Sequence, residues 1–358
     1  VTAEWNIAGE SFFPSDIFIN DLALSFTLGS AGTGSMSQSF SATPSPDIRP
    51  ETVKYFISGL RIALFENSVR LSVNGFINKN QNMLTEVNIP SGSNFSSTIL
   101  FNVGDVDNKG IEFRAEANLL TGKTFQWDAA LHCTLRQNRI KNLGSGIDFI
   151  RAGSVPLIPY AEVLIQDTDT PVNSFYLLKQ VYDAEGIPIQ GLYEDYNNNG
   201  APGFDDRYVG PSADPEFIAG IWSSMKYRNW ELSLSASTVA GNWCYDIESV
   251  FGNYGGMTPN GALRNISSLV YESGFTEMEP YSDYHMENGS FFRLDFISLG
   301  HTFRNVSGKN VDFRLEATLQ NALLMTGYRG AEPDILGVPT GYAWPRPRTA
   351  SLSLSIGF

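Results

Sequence analysis

"TASLSLSIGF", residues Thr349 to Phe358, alternates without a break between two kinds of side chain. Ala350, Leu352, Leu354, Ile356 and Phe358 fall on one face of an extended strand, and Thr349, Ser351, Ser353, Ser355 and Gly357 fall on the other, because successive side chains point opposite ways. "VDFRLEATLQNAL" repeats the pattern, with Val311, Phe313, Leu315, Ala317 and Leu319 against Asp312, Arg314, Glu316, Thr318 and Gln320. So does "IEFRAEANL", which sets Ile111, Phe113, Ala115, Ala117 and Leu119 against Glu112, Arg114, Glu116 and Asn118. These are strands with one apolar face and one wet face.

Ten such strands are expected, near residues 20–30, 53–65, 68–83, 109–119, 125–143, 216–226, 230–240, 290–303, 311–323 and 348–358. A further pair is expected between 144 and 215, and the 290–303 segment alternates too poorly to fix which way it faces. The connections alternate in length. Tight turns fall at Phe65 to Ser68, Thr121 to Lys123, Tyr227 to Asn229 and Asn305 to Lys309, and long excursions lie near 31–52, 84–108, 144–215, 241–289 and 324–347.

The 358-residue chain has 24 Phe, 15 Tyr, 33 Gly and only 17% charged residues, a balance that suits an all-β protein rich in turns. Its net charge of −14 argues against nucleic acid as a partner, since a polyanion needs a basic surface. No segment reaches the ~18 consecutive apolar residues of a spanning helix, which leaves a soluble β-protein or a membrane β-barrel. Sorting of short turns to one rim and long loops to the other is the mark of an outer-membrane barrel, with the C-terminus on the periplasmic side and every long loop outside. The fold class expected is therefore an all-β, antiparallel transmembrane β-barrel. Ala350, Leu352, Leu354 and Ile356 then face lipid, Phe358 sits in the interfacial aromatic girdle, and the Ser/Thr side faces the lumen. No open sheet edge is tolerated by lipid, so the strands must close on themselves or on a partner segment. No signal peptide begins at Val1, so the chain reads as a mature protein or as a piece of a longer one.

Several blocks carry a resemblance: "RPETVKYFISGLRIALFENSVRLSVNGFINKNQNML" (Arg49 to Leu84), "GSNFSSTILFNVGDVDNKGIEFRAEANL" (Gly92 to Leu119), "GSFFRLDFISLGHTF" (Gly289 to Phe303), "LQNALLMTGYRGAEPD" (Leu319 to Asp334) and "WPRPRTASLSLSIGF" (Trp344 to Phe358). In this order they resemble the C-terminal barrel portion of SusC-like (RagA-like) TonB-dependent transporters of Bacteroidetes outer membranes, which usually have Tyr where this chain has Trp344. The resemblance implies about ten to twelve strands of a 22-stranded barrel whose plug and TonB-contacting segment are absent from this chain. It also implies import of oligosaccharides or peptides delivered by a SusD-like surface lipoprotein, with energy coupled through the TonB complex.

Two segments are candidate sites. In "DYNNNGAPGFDD", Asp195, Asn197, Asn199, the Ala201 carbonyl and Asp206 take relative positions 1, 3, 5, 7 and 12, with Gly200 at 6. This is the oxygen-ligand spacing of a calcium loop, and an Asx-rich turn held by its own hydrogen bonds gives the same composition. In the 241–289 loop, Trp243, Tyr245, Phe251, Tyr254, Tyr271, Phe275, Tyr281 and Tyr284 suit stacking on a sugar, contact with a lid protein, or packing of the loop on itself. Arg114, Glu116, Asp312, Arg314 and Glu316 on wet faces suit an ion-pair ladder lining the lumen.

Cys133 shares its face with Trp127, Ala129, Leu131 and Leu135 and reads as a small hydrophobe. Cys244 adds no disulfide framework, and His132, His285 and His301 have no metal-ligand spacing. No catalytic motif is present, and calcium is the one cofactor suggested. The function expected is passage of a nutrient without chemistry. A soluble β-rich adhesin or carbohydrate-binding protein and a small autonomous porin are the rival readings.

Overall fold

The computed structural model describes residues 1–14, 18–32, 48–88, 98–144, 147–155, 158, 161–257, 265, 268–306, 311–334 and 344–357. Phe358, residues 33–47 of the first long excursion and part of the Asn305 to Lys309 turn lie outside them. The chain begins with β1 (Thr2–Asn6), β2 (Ile19–Gly32), β3 (Thr52–Leu64), β4 (Val69–Asn88), β5 (Thr98–Thr121) and β6 (Phe125–Leu143). Six shorter strands follow: β7 (Phe149–Ser154), β8 (Glu162–Asp167), β9 (Ser174–Leu177), β10 (Gln180–Tyr182), β11 (Pro188–Tyr193) and β12 (Tyr208–Ser212). Then come β13 (Phe217–Tyr227), β14 (Trp230–Ala240), β15 (Trp243–Tyr245), helices α1 (Ile247–Phe251) and α2 (Val270–Ser273), β16 (Met286–Asn288), β17 (Phe291–Val306), β18 (Val311–Thr326) and β19 (Thr349–Gly357). An 11-stranded antiparallel sheet runs β1 to β6, then β13, β14, β17, β18 and β19, each strand beside its predecessor in that order.

Register keeps the two faces apart across the sheet. One row passes Leu24, Leu60, Val73, Phe113, Cys133 and Ala219, and another passes Leu234, Ile297, Leu319 and Ala350. On the opposite face Glu231, Gly300, Glu316 and Ser353 align. Among the described residues no protein layer covers the apolar side: Leu352 is 70% and Leu354 62% exposed. Aromatic rings gather at its short-turn end, where Phe18 stacks on Phe65 at 5.5 Å and His301 lies 4.4 Å from both Trp230 and Phe303. Tight turns there use left-handed residues, Glu66 and Asn67 in one and Arg228 in another, which suits the twist of a hairpin.

Three expectations need correction. The 84–108 excursion is largely strand, since β4 continues to Asn88 and β5 starts at Thr98. Polar residues there pair through their backbones, and pairing does not need apolar alternation. The 144–215 segment holds six strands rather than a pair. A further barrel strand, β1, was not foreseen, because five residues cannot establish a period. The ambiguous 290–303 facing has a local cause: a bulge at Asp295 shifts the register between Leu294 and Phe296.

The sheet does not close among the described residues, for β1 and β19 each have one neighbour. A free-standing pore made from this chain alone is set aside on that ground, since lipid tolerates no open edge.

Candidate functional site

The wet face carries linked ion pairs. Arg314 bridges Glu231 and Glu316, each at 2.8 Å, Arg61 bridges Glu4 and Asp21, each at 2.9 Å, and Glu116 takes both Arg70 and Arg114. The ladder expected from Arg114, Glu116, Arg314 and Glu316 is therefore present, while Asp312 accepts the Asn305 backbone N–H. Two glycines leave room for these side chains: a Cβ on Gly300 would come 2.7 Å from the Arg314 guanidinium, and one on Gly220 would come 2.4 Å from the His132 ring. Such half-exposed pairs contribute little stability, ~0–1 kcal/mol each, so their main effect is to make the lumen wall polar.

Above the long-loop rim, the excursions after β6 and β14 fold into one cap with its own core of Val163, Leu164, Phe175, Leu177, Tyr245 and Val250. Cross-links between distant segments hold it. Gln180 receives the Ser282 hydroxyl at 2.7 Å, Asp283 accepts from the Gln180 backbone at 2.9 Å and from the Tyr208 hydroxyl at 2.8 Å, and the Tyr193 hydroxyl donates to Glu279 at 2.5 Å. The cap is pinned to β6 by Ile140 N–H to Thr170 O and Asp169 N–H to Ile140 O. Between barrel rim and cap lies a cavity of about 320 Å³ whose lining includes Met83, Asp105, Ile140, Arg151, Gln166 and Asn173.

The aromatic residues singled out in the 241–289 loop separate into two groups. Tyr245 is corrected from a solute contact to a core residue: it is 1% exposed and its hydroxyl donates to the Pro280 carbonyl at 2.5 Å. Trp243 and Tyr281 pack against the same core, and Tyr284 leans edge-on to Phe275 at 5.4 Å. Tyr254 and Tyr271, ring centroids 6.4 Å apart, stay exposed and available.

In the 195–206 loop, Asp195 accepts the N–H groups of Asn199 and Gly200, Asn197 that of Asn199, Asn199 that of Ala201, and Asp206 those of Asn197 and Gly203. These donors, the Asn197 N–H foremost, hold the Asp206 carboxyl below its ordinary pKa. Asp205, which the spacing did not single out, accepts the side-chain amides of both Asn197 and Asn199. The Asx turns are thus made by the protein's own atoms. Among the described residues no three His, Cys, Asp or Glu side chains gather in a metal-holding group.

In the cap, Arg207 and Asp246 are buried charges that the sequence reading did not single out. Arg207 is 6% exposed and sits over the rings of Tyr176 at 4.3 Å, Phe204 at 5.1 Å and Tyr281 at 5.4 Å. Asp246, 1% exposed, caps α1 by accepting the N–H groups of Glu248 and Ser249, and burial pushes its pKa up to about 6. His285 beside it bonds Ser249 Oγ at 2.8 Å, and burial pulls its pKa down to about 3, so the ring stays neutral at ordinary pH.

A carboxyl whose folded pKa lies above its unfolded value favours folding while protonated. The Asp246 contribution is therefore present below about pH 4 and is lost as pH rises through about 6. Asp246→Asn keeps the cap acceptor and removes this titration. Hydrogen exchange across 245–252 is expected to speed up between pH 5 and 7.5 in the parent, by more than intrinsic exchange predicts, and to lose that excess in the variant. Equal excess in both proteins would refute the assignment.

Residues 8–322 match the model of the TonB dependent receptor-like β-barrel. The chain belongs to that family. It is an outer-membrane β-barrel segment, in agreement with its bare apolar face. Its relatives include TonB-dependent receptor SusC of Bacteroides thetaiotaomicron, 28% identical over 99% of this chain, and TonB-dependent receptor P26 of Formosa agariphila, 25% identical over the whole chain. The chain spans 39% and 42% of their respective lengths. The fold also matches the RagAB peptide transporter, with TM-score 0.75 at 18% identity, and the "closed-closed" state of the RagAB peptide importer, with TM-score 0.78. Each match covers 99% of this chain and 42% of the other.

Proposed function

We propose that this chain is the C-terminal portion of the barrel wall and the extracellular cap of a SusC-like importer that takes up oligosaccharides or peptides and performs no chemistry on them. The observation that carries the reading is the match along 99% of the chain to a TonB-dependent receptor, in a sheet with two open edges. The missing strands of a 22-stranded barrel would pair with β1 and β19, and a plug and a TonB-contacting segment would complete the machine.

A SusD-like surface lipoprotein is proposed as the lid. The β10–β11 ribbon supports this, because Tyr182, Ile187, Ile189 and Leu192 are all exposed on the cap, where a monomer has no reason to show an apolar strip. In cells carrying the full-length protein, growth on its oligosaccharide or peptide is expected to stop on deletion of either the transporter or TonB. Growth that survives loss of TonB would overturn the reading. Ile189→Asp with Leu192→Asp is expected to abolish co-purification of the lipoprotein.

Calcium in the 195–206 loop is proposed on ligand spacing. Terbium emission sensitised by neighbouring Tyr196 or Tyr208 should appear on titration, be displaced by calcium and vanish in Asp195→Asn with Asp206→Asn. Absence of emission in the parent would leave the loop as Asx turns alone.

A further inference from the structure

The outward face of the sheet is largely apolar, and among the described residues its charged side chains gather at one place. Row by row, Ser30, Lys54, Lys79, Asp107 and Arg139 stand side by side across β2 to β6, and the next row below them is Leu28, Phe56, Ile77, Lys109 and Gln137. Directly opposed residues of an antiparallel pair share a face, and Phe56 and Ile77 lie on the same side as Leu60 and Val73, so these lysines point away from the lumen. They stand at the long-loop end, where an outer-membrane barrel meets the outer leaflet.

Lys54, Lys79 and Lys109 are exposed, and none lies within 4.0 Å of a carboxylate among the described residues. Lys54 directly opposes Lys79, a pairing of like charges that destabilises a sheet when nothing neutralises it. The acidic groups near by are Asp107, opposite Lys79 and Arg139, and Glu216 at the far end of the patch. Arg139 is engaged with the Asp169 carbonyl at 2.7 Å. In a chain of net charge −14, this is a local excess of positive charge on a wall that otherwise faces hydrocarbon.

Immediately below the lysines the wall is indented. A groove of about 620 Å³ runs between Phe56, Ile77, Ile111 and Leu135, with Ser58 and Gly75 as its floor and Lys109 at its mouth. A Cβ on Gly75 would meet nothing within 4 Å, so the indentation is open space rather than packed backbone. The groove offers apolar walls for a chain, and the ammonium groups above it offer charge for a phosphate.

We propose that this patch is a binding site for a phosphorylated, multiply acylated lipid of the outer leaflet, its phosphate held by Lys54, Lys79 and Lys109 and one acyl chain laid over Ser58 and Gly75. Neighbouring strands are ~4.8 Å apart, so ammonium groups on β3, β4 and β5 reach a single phosphate. Basic clusters beside an apolar wall recognise anionic lipids in this way. The sign of the patch selects an anionic head group, and its place on an outward apolar wall beside an open groove selects a lipid over a protein.

The test uses the full-length transporter extracted from outer membranes in mild detergent and examined by native mass spectrometry, with monophosphorylated lipid A and its dephosphorylated form as probes. The parent should retain the phosphorylated lipid and discriminate against the dephosphorylated one. Lys54→Gln, Lys79→Gln and Lys109→Gln together should lower occupancy about tenfold or more. Gly75→Leu, which fills the groove without touching charge, should also lower it, with heat-modifiable migration confirming a folded barrel. Wild-type occupancy in both variants, or equal binding of the dephosphorylated lipid, would overturn the site. Displacement of the lipid by millimolar inorganic phosphate would assign the lysines to a free anion and overturn the lipid reading.

Discussion

Replacing Arg293 with alanine is expected to unfasten the 327–334 segment from the barrel. Arg293 stands on the wet face of β17 with its side chain 3% exposed, and its guanidinium pairs with Glu332, 7% exposed, and with Asp334 at 3.2 Å. It also lies over the Phe291 ring at 4.8 Å. Taking these charges out of water is costly, and the mutual attraction offsets that cost only while both signs are present. Removing the cation leaves Glu332 buried with two backbone donors, the N–H groups of Asp334 and Arg346, and no charge to balance it. Breaking a buried pair in this way costs ~3–5 kcal/mol. Arg346 still pairs with Asp334, which places the loss toward the lower end. The readout is limited proteolysis of the full-length protein in intact cells, where cleavage within 327–334 should rise steeply. Arg293→Met with Glu332→Leu, which removes both charges, should restore much of the protection. If Arg293→Ala resists protease as the parent does, the buried pair is not what anchors the segment.

That anchor was invisible in the sequence, and its invisibility has a physical reason. The barrel was legible because a wall between lipid and water forces a period of two on every strand, and a period survives in sequence without knowledge of partners. Ala350 to Ile356 and Val311 to Leu319 are read correctly from that alone. Gly104, Asp105, Asp107 and Asn108 interrupt any such period, and so the ends of β4 and β5 that fall within 84–108 read as loop. The cap obeys neither rule. Tyr245 and Tyr271 look equivalent along the chain, yet one lies in a core assembled from β8, β9 and α1 and the other is open to solvent. Burial of that kind depends on contacts between residues about 80 positions apart, which composition does not encode. Arg207 and Asp246 were missed for the same cause. The calcium spacing was legible as spacing only, since Asx turns and a metal loop ask for the same residues.

The two faces of β19 should respond oppositely to one added charge. Leu352 lies on the bare apolar face beside Ala317, and Ser353 lies on the wet face directly opposite Glu316. Arginine on the lipid side must bring its guanidinium into hydrocarbon or bend it toward the headgroups, at a cost of ~2–4 kcal/mol near the midplane. Arginine at 353 enters a polar lumen and meets a carboxylate already shared with Arg314, so its effect should stay within ~0.5 kcal/mol. In the assembled protein the difference should appear as failed insertion or a lowered unfolding midpoint for Leu352→Arg alone, followed by heat-modifiable gel migration in outer-membrane fractions. Leu352→Asn serves as the control for polarity without charge and should fall between the two. The contrast matters because it separates a membrane wall from any soluble sheet with the same sequence pattern. In a soluble sandwich the apolar face would be the packed interior, whereas among the described residues Leu352 and Leu354 have no core over them. Equal tolerance of arginine at 352 and 353 would mean that water wets both faces, and the assignment of this chain to the outer membrane would then lose its physical basis.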